Sequence, residues 1–208
     1  MKCNVTKFLS PLCLAIIMAT MGITNVAADV NELVAPCAGC HGKDGASTES
    51  AIPIISGNSA QYIIDSMAAY SAKERPCAEV KINAGPHKGD SDDMCKIAKD
   101  LSESDTKLVA EYFAAKPFVR AKQAFDADKA KLGKIVQDKD CKKCHEDGGS
   151  SPADDSGILA GQWTPYMQQQ FKDYSSGERP MTKKMEKKYK NISEADIENL
   201  LHYFASFQ

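Results

Sequence analysis

The sequence predicts an all-α protein made of one helical unit written twice, and three observations carry that prediction. The pattern Cys-X-X-Cys-His occurs at residues 37–41 and again at 141–145, a shift of 104. Segments around both copies recur at the same shift. Ile54-Ile55-Ser56-Gly57-Asn58 returns as Ile158-Leu159-Ala160-Gly161-Gln162, Tyr62 as Tyr166, Tyr70 as Tyr174, and Glu74-Arg75-Pro76 as Glu178-Arg179-Pro180. Apolar residues follow helical spacing, and no run sustains strand alternation. A period of about 100 residues marks duplicated domains rather than short stacked repeats.

Residues 1–28 read as a removable export signal. Lys2 and Lys7 precede a mostly apolar stretch, 12–23, too short to span a bilayer, and Val26-Ala27-Ala28 offers small residues for cleavage. The export signal makes the periplasm the expected location, and no later stretch is apolar enough for stable membrane insertion. The remaining chain has 24 basic and 28 acidic side chains, distributed unevenly. Residues 29–115 carry a net charge of −6 and residues 116–208 a net of +2. This asymmetry favours oriented docking on proteins over nucleic-acid binding.

The helices follow in order. Residues 30–37 and 128–140 run into the two motifs, and 60–71 and 165–174 form a middle helix in each half. The last helices start at Ser102 and Ser193, each with an acid three residues on, the capping-box signature. Behind these serines Leu108, Val109, Tyr112 and Phe113 recur as Asn199, Leu200, Tyr203 and Phe204 at a shift of only 91. The first half therefore carries 13 extra residues between Pro76 and Met94. The expected divisions are a first domain at 29–115, a linker at 116–127 and a second domain at 128–208.

The motif spacing is that of covalent haem c attachment. Cys37 and Cys40, and Cys141 and Cys144, would form thioethers to two haem c groups, with His41 and His145 as proximal iron ligands. Each unit is small for a core of its own, and a covalent haem supplies apolar volume. The repeat also selects the sixth ligand. Met94 and Met185 each lie eight residues before the serine that opens the last helix, in the loop leading into it. Met67, Met167 and Met181 lack that duplication. Pro53, 12 residues after His41, has the position of the carbonyl that orients a proximal histidine in class I cytochromes c, whereas the second half has Gly157 there. Cys77 and Cys95 remain over. In an exported protein their default is a disulfide; the alternative makes one of them an iron ligand. His87 and His202 read as surface or packing residues, and Trp163 as a residue of the second haem's edge or the domain interface.

The duplicated architecture resembles the two-domain class I cytochromes c of the cytochrome c-four type. The second half, with Cys141-Lys-Lys-Cys-His145, Gly148-Gly149, Ile158-Leu-Ala-Gly-Gln-Trp-Thr-Pro-Tyr166 and Gly177-Glu-Arg-Pro-Met181, is similar to the cytochrome subunit of flavocytochrome c sulfide dehydrogenase. That resemblance implies an electron-transfer subunit with no catalytic residues of its own. It would accept electrons from a flavoprotein (FAD) subunit and pass them to a soluble or membrane-bound acceptor. A free-standing diheme shuttle to a terminal oxidase is the alternative, followed by a diheme sulfur-compound dehydrogenase with a cysteine iron ligand. The lysine-rich stretch 183–190 flanks Met185 and is suited to steering an acidic partner.

Overall fold

The computed structural model describes residues 26–208, so the export signal lies outside the described residues up to position 25. In the first half, α1 (Val26–His41) carries the motif at its C-terminal end, and α2 (Ala60–Ser71) is capped by Ser59. A two-residue ladder, β1 (Val80–Lys81) against β2 (Ser91–Asp92), lies inside the extra loop and precedes α3 (Met94–Asp100) and α4 (Glu103–Ala114). The second half repeats the plan with α5 (Ala127–Val136), α6 (Thr164–Ser176), α7 (Lys183–Tyr189) and α8 (Glu194–Ala205).

Both last helices start where the serines place them. Ser102 Oγ accepts from the Asp105 N–H, and Ser193 with Asp196 forms the full reciprocal capping box. The apolar stripe behind each cap becomes the core. Phe113 and Phe204 are each 1% exposed and are surrounded by Val34, Ile63, Met67 and Val109 in one half, and Met167, Leu200 and Tyr203 in the other. The two motif helices differ from expectation. α1 continues through the first motif, whereas α5 ends at Val136 and passes into a π turn, Gln137–Cys141. α3 and α7 are also helices where a loop was expected. Each is one short segment nucleated by a side-chain cap, Asp93 for α3 and Thr182 for α7.

One loop in each half organises the rest. In the first, Ile55 and Ser56 donate to the Gly45 carbonyl and Gly57 to the Phe113 carbonyl. In the second, Leu159 and Ala160 donate to Gly149, and Gly161 to Phe204. Each loop thus ties the chain after the motif to the end of the last helix. The loops also face one another and exchange side chains. Gln162 accepts from the Ile54 N–H and donates to the Ile54 carbonyl, both at 2.9 Å, while Asn58 Oδ1 accepts from the Ile158 N–H at 2.9 Å. Asn58 and Gln162 are repeat equivalents, so the contact is a pseudo-twofold exchange.

The connecting segment seals this junction. Phe118 packs on Gly57 and Arg120 on Gly161, so close that a Cβ on either glycine would lie 2.7 and 2.5 Å from them; both glycines also have positive φ. Ala121 donates to the Gly161 carbonyl at 2.8 Å, and Gln123 bonds Gln162 and Thr164. The expected linker is a packed strap.

Gln162→Ala leaves the buried Ile54 N–H and carbonyl without partners. We expect a loss of roughly 2–4 kcal/mol in urea unfolding of the haem-loaded protein. The control Gln61→Ala, which removes an exposed glutamine from the surface of α2, should be close to neutral.

Candidate haem centres

In the first centre the helical pitch of α1 sets Cys37, Cys40 and His41 at intervals of three and four, on one face. Burial pushes the Cys37 thiol up to about 11, and burial followed by Asp92 raises Cys40, so both thiols are protonated at neutral pH. His41 is buried. Its Nδ1 lies 2.9 Å from the Pro53 carbonyl, which fixes Nδ1–H as donor and leaves Nε2 for a ligand. Burial lowers the His41 pKa more than this carbonyl raises it, so the ring is neutral, the form that binds a metal. An open cavity of about 320 Å³ adjoins the motif, lined by Val34, Ala35, Ala38, Tyr112 and Phe113 among others.

In the second centre the π turn delivers Cys141 from α5, and Gln137 Nε2 donates to the His145 carbonyl at 2.7 Å. Burial, then Asp140, pushes the Cys141 thiol up to about 11. His145 Nδ1 is buried without a hydrogen bond of normal geometry. The Gly157 carbonyl faces it and opposes the fall in pKa that burial imposes. With Gly157 at the position that matches Pro53, the second histidine lacks the 2.9 Å hydrogen bond that orients the first.

Met94 opens α3 and packs half-buried against the first core. The next residue, Cys95, is joined to Cys77, with Cα atoms 5.8 Å apart. The pair therefore offers no thiolate ligand, which removes the cysteine-ligated form of the dehydrogenase alternative. Met185 lies half-buried on α7, which packs against the π turn leading to Cys141. Met181, also half-buried, lines a separate cavity of about 420 Å³ beside Tyr174 and Arg179. His87 is exposed beside Asp90, and His202 Nδ1 accepts from the Asp126 N–H at 3.1 Å. Trp163 is an interface residue: its Nε1–H donates to the Ser47 carbonyl of the first half at 2.9 Å.

Two features escape the sequence reading. The first is a cluster of two arginines and four tyrosines across the interface. Arg75, 5% exposed, lies 4.3 Å from the Tyr70 ring and donates to Tyr166 Oη and Gln170 Oε1. Arg179 lies 4.5 Å from the Tyr174 ring and donates to the same Gln170 oxygen. Burial works against the Arg75 charge, but Tyr166, Tyr70 and Tyr62 hold it protonated. Burial pushes the Tyr62 phenol up, and Arg75 with Arg179 outweighs it, drawing the pKa below the ordinary tyrosine value. Among the described residues no carboxylate forms an ion pair with either guanidinium. A buried cation such as Arg75 is costly without a counter-ion, and the acidic substituents of haem are anions that would suit it and the half-buried Arg179 beside it. The repeated Tyr and Glu-Arg-Pro positions were the available signal. The second feature is the extra loop, which folds back over the first motif. Asn83 and Ala84 donate to the Gly39 carbonyl, and a Cβ on Gly39 would lie 2.9 Å from Ile82.

No protein-family model matches the chain, and no curated protein matches it. Solved structures do. Reduced recombinant cytochrome c4 from Pseudomonas stutzeri is similar at 26% identity and a TM-score of 0.69, over 88% of this chain and 98% of that one. The cytochrome c4 of Acidithiobacillus ferrooxidans gives 24%, 0.62, 82% and 98%. Thiosulfate dehydrogenase (TsdBA) from Marichromatium purpuratum gives 23%, 0.64 and 83%, over 36% of that longer chain. The fold is that of two tandem class I cytochrome c units, and the cofactors are two covalently bound haem c groups. No described helix is long and apolar enough to cross a membrane.

Replacing Cys77 and Cys95 together by serine opens a loop whose ends are 18 residues apart. We expect about 3 kcal/mol less stability for the first half, read as an earlier denaturant transition that a reductant reproduces in the parent protein.

Proposed function

We propose that the chain is a periplasmic electron carrier that accepts electrons from a flavoprotein sulfide dehydrogenase and passes them singly to a soluble or membrane-bound acceptor. The observation that carries the electron-carrier reading is the duplication of the centre in one chain. Each half has a Cys-X-X-Cys-His segment, a carbonyl facing the histidine Nδ1, and one half-buried methionine on a short capped helix. When bound, haem c supplies a one-electron couple in each half.

The chain's own residues do the rest. Cys37 and Cys40, and Cys141 and Cys144, would hold the two groups covalently. His41 and His145 would ligate the proximal side, oriented by the Pro53 and Gly157 carbonyls. Met94 and Met185 would each offer a thioether as the second protein ligand to the iron, and such a ligand raises the reduction potential. Arg75 and Arg179 would balance acidic haem substituents at the interface. Residues 29–115 and 128–208 form the two domains, 116–127 the strap, and 1–28 the export signal.

The flavoprotein partner rests on the resemblance of the second half, from Cys141 through Met185, to the flavocytochrome c subunit. The whole-length likeness to the cytochromes c4 favours a second reading, a free-standing diheme carrier. Gentle purification of the native complex separates the two. About one flavin per two haems, with sulfide bleaching the flavin before the haem reduces, supports the first; haem without flavin supports the second.

For the methionines, we expect Met94→Ala and Met185→Ala each to keep both haems attached while removing about half of the methionine-to-iron charge-transfer absorbance in the red. One of the two reduction potentials should fall in each variant, measured by spectroelectrochemical titration. Full absorbance in either variant would point to another ligand, Met181 in the second half.

A further inference from the structure

The two motif surfaces are built differently. In the first, the extra loop covers the central residues: Gly39 is buried, with Ile82 and Ala84 packed over it, and Ala38 beside it is half-buried. Their equivalents in the second motif are Lys142 and Lys143, both exposed. Beside them α7, which packs on the π turn, carries exposed Lys183, Lys184 and Lys187.

These five lysines have no ion-pair partner among the described residues. The nearby acids are already engaged: Asp138 with Lys134, Asp140 with Lys139 and Lys188, and Glu186 with Lys190. Glu146 and Asp147, which follow the motif, offset part of this charge, and the surface keeps a local excess of positive charge. Exposed apolar side chains lie on the helix that leads into the same π turn: Leu132 and Ile135 on α5 are 51% and 63% exposed, and Ile135 lies six residues before Cys141. A positive rim with exposed apolar side chains is the surface of a transient protein interface.

We infer that this surface, the edge of the second centre, is the docking face for an acidic electron-transfer protein, and that the first centre is shielded from such docking by the disulfide-anchored loop. This rests on the electron-carrier reading. A second copy of the chain is the less suitable occupant. Its acidic first half docked on this basic face would make a head-to-tail contact, which extends into filaments unless its rotation happens to close a ring. In the exchange itself one electron leaves the reduced partner and one ferric centre becomes ferrous, with no bond or proton transferred.

The test uses the haem-loaded protein and a reduced acidic plant-type ferredoxin as probe, with affinity measured by calorimetry and reduction followed in stopped flow. The joint variant Lys183→Glu, Lys184→Glu, Lys187→Glu should weaken affinity and slow the second-order rate at least tenfold at about 0.01 M ionic strength. The difference should vanish at about 1 M, where the screening length is about 3 Å. The first-half control Lys73→Glu, Lys99→Glu, Lys107→Glu should change both by less than twofold. Equal effects of the two triple variants would overturn the docking face. Absence of haem reduction in the parent protein would instead contradict the electron-carrier reading. Low-salt sedimentation as an oligomer that the α7 variant abolishes would overturn the choice of partner in favour of a second copy.

Discussion

The structure depends on one exchanged contact, the pairing of the loop at residues 53–58 with its copy at 157–162. A single short loop in each half performs three tasks. Its first carbonyl faces the motif histidine, its middle amides hold the turn that follows the motif, and its last side chain reaches the opposite half. The orientation of His41, held by the Pro53 carbonyl, is thereby tied to the contact between domains. Neither loop can shift without unpairing buried backbone groups on the other side, each of which would cost roughly 1–3 kcal/mol.

The tie matters because each half is small. A unit of roughly 80–90 residues buries too little apolar surface for a generous margin of stability. Three devices here supplement the cores around Phe113 and Phe204. The interface is sealed by a packed strap rather than left to a flexible tether. The extra loop is closed by the Cys77–Cys95 bond. The covalent haem groups would add apolar volume to each small core. The arginine pair belongs to the same logic, since Arg75 stays charged in a buried setting whose natural complement is an anion.

Much of this was legible in the sequence because duplication acts as an internal control. A feature present twice at one shift, such as the cap serines, the core aromatics or the loop glycines, is specified by the fold rather than by chance. α2 begins and ends where its pattern places it, and the carbonyl of Pro53 meets His41 as expected. What the repeat could not disclose are relations between its copies. The Arg–Tyr cluster and the Asn58–Gln162 exchange join residues about 90–110 positions apart, and neither periodicity nor propensity reads such pairs. Short helices such as α3 and α7 also escape, because seven residues hold too little periodicity and their nucleation rests on one capping side chain. The cover over Gly39 was hidden for a third reason: an inserted segment has no copy to compare with.

One helical unit, duplicated, holds two covalent haems through its two motifs. The most direct measurement is the intact mass, under denaturing conditions, of protein exported by a host that attaches haem c. The expected mass is that of the chain without residues 1–28 plus two haems that survive unfolding. A chain carrying one haem or none, with free thiols at Cys37 and Cys40 or at Cys141 and Cys144, would contradict it.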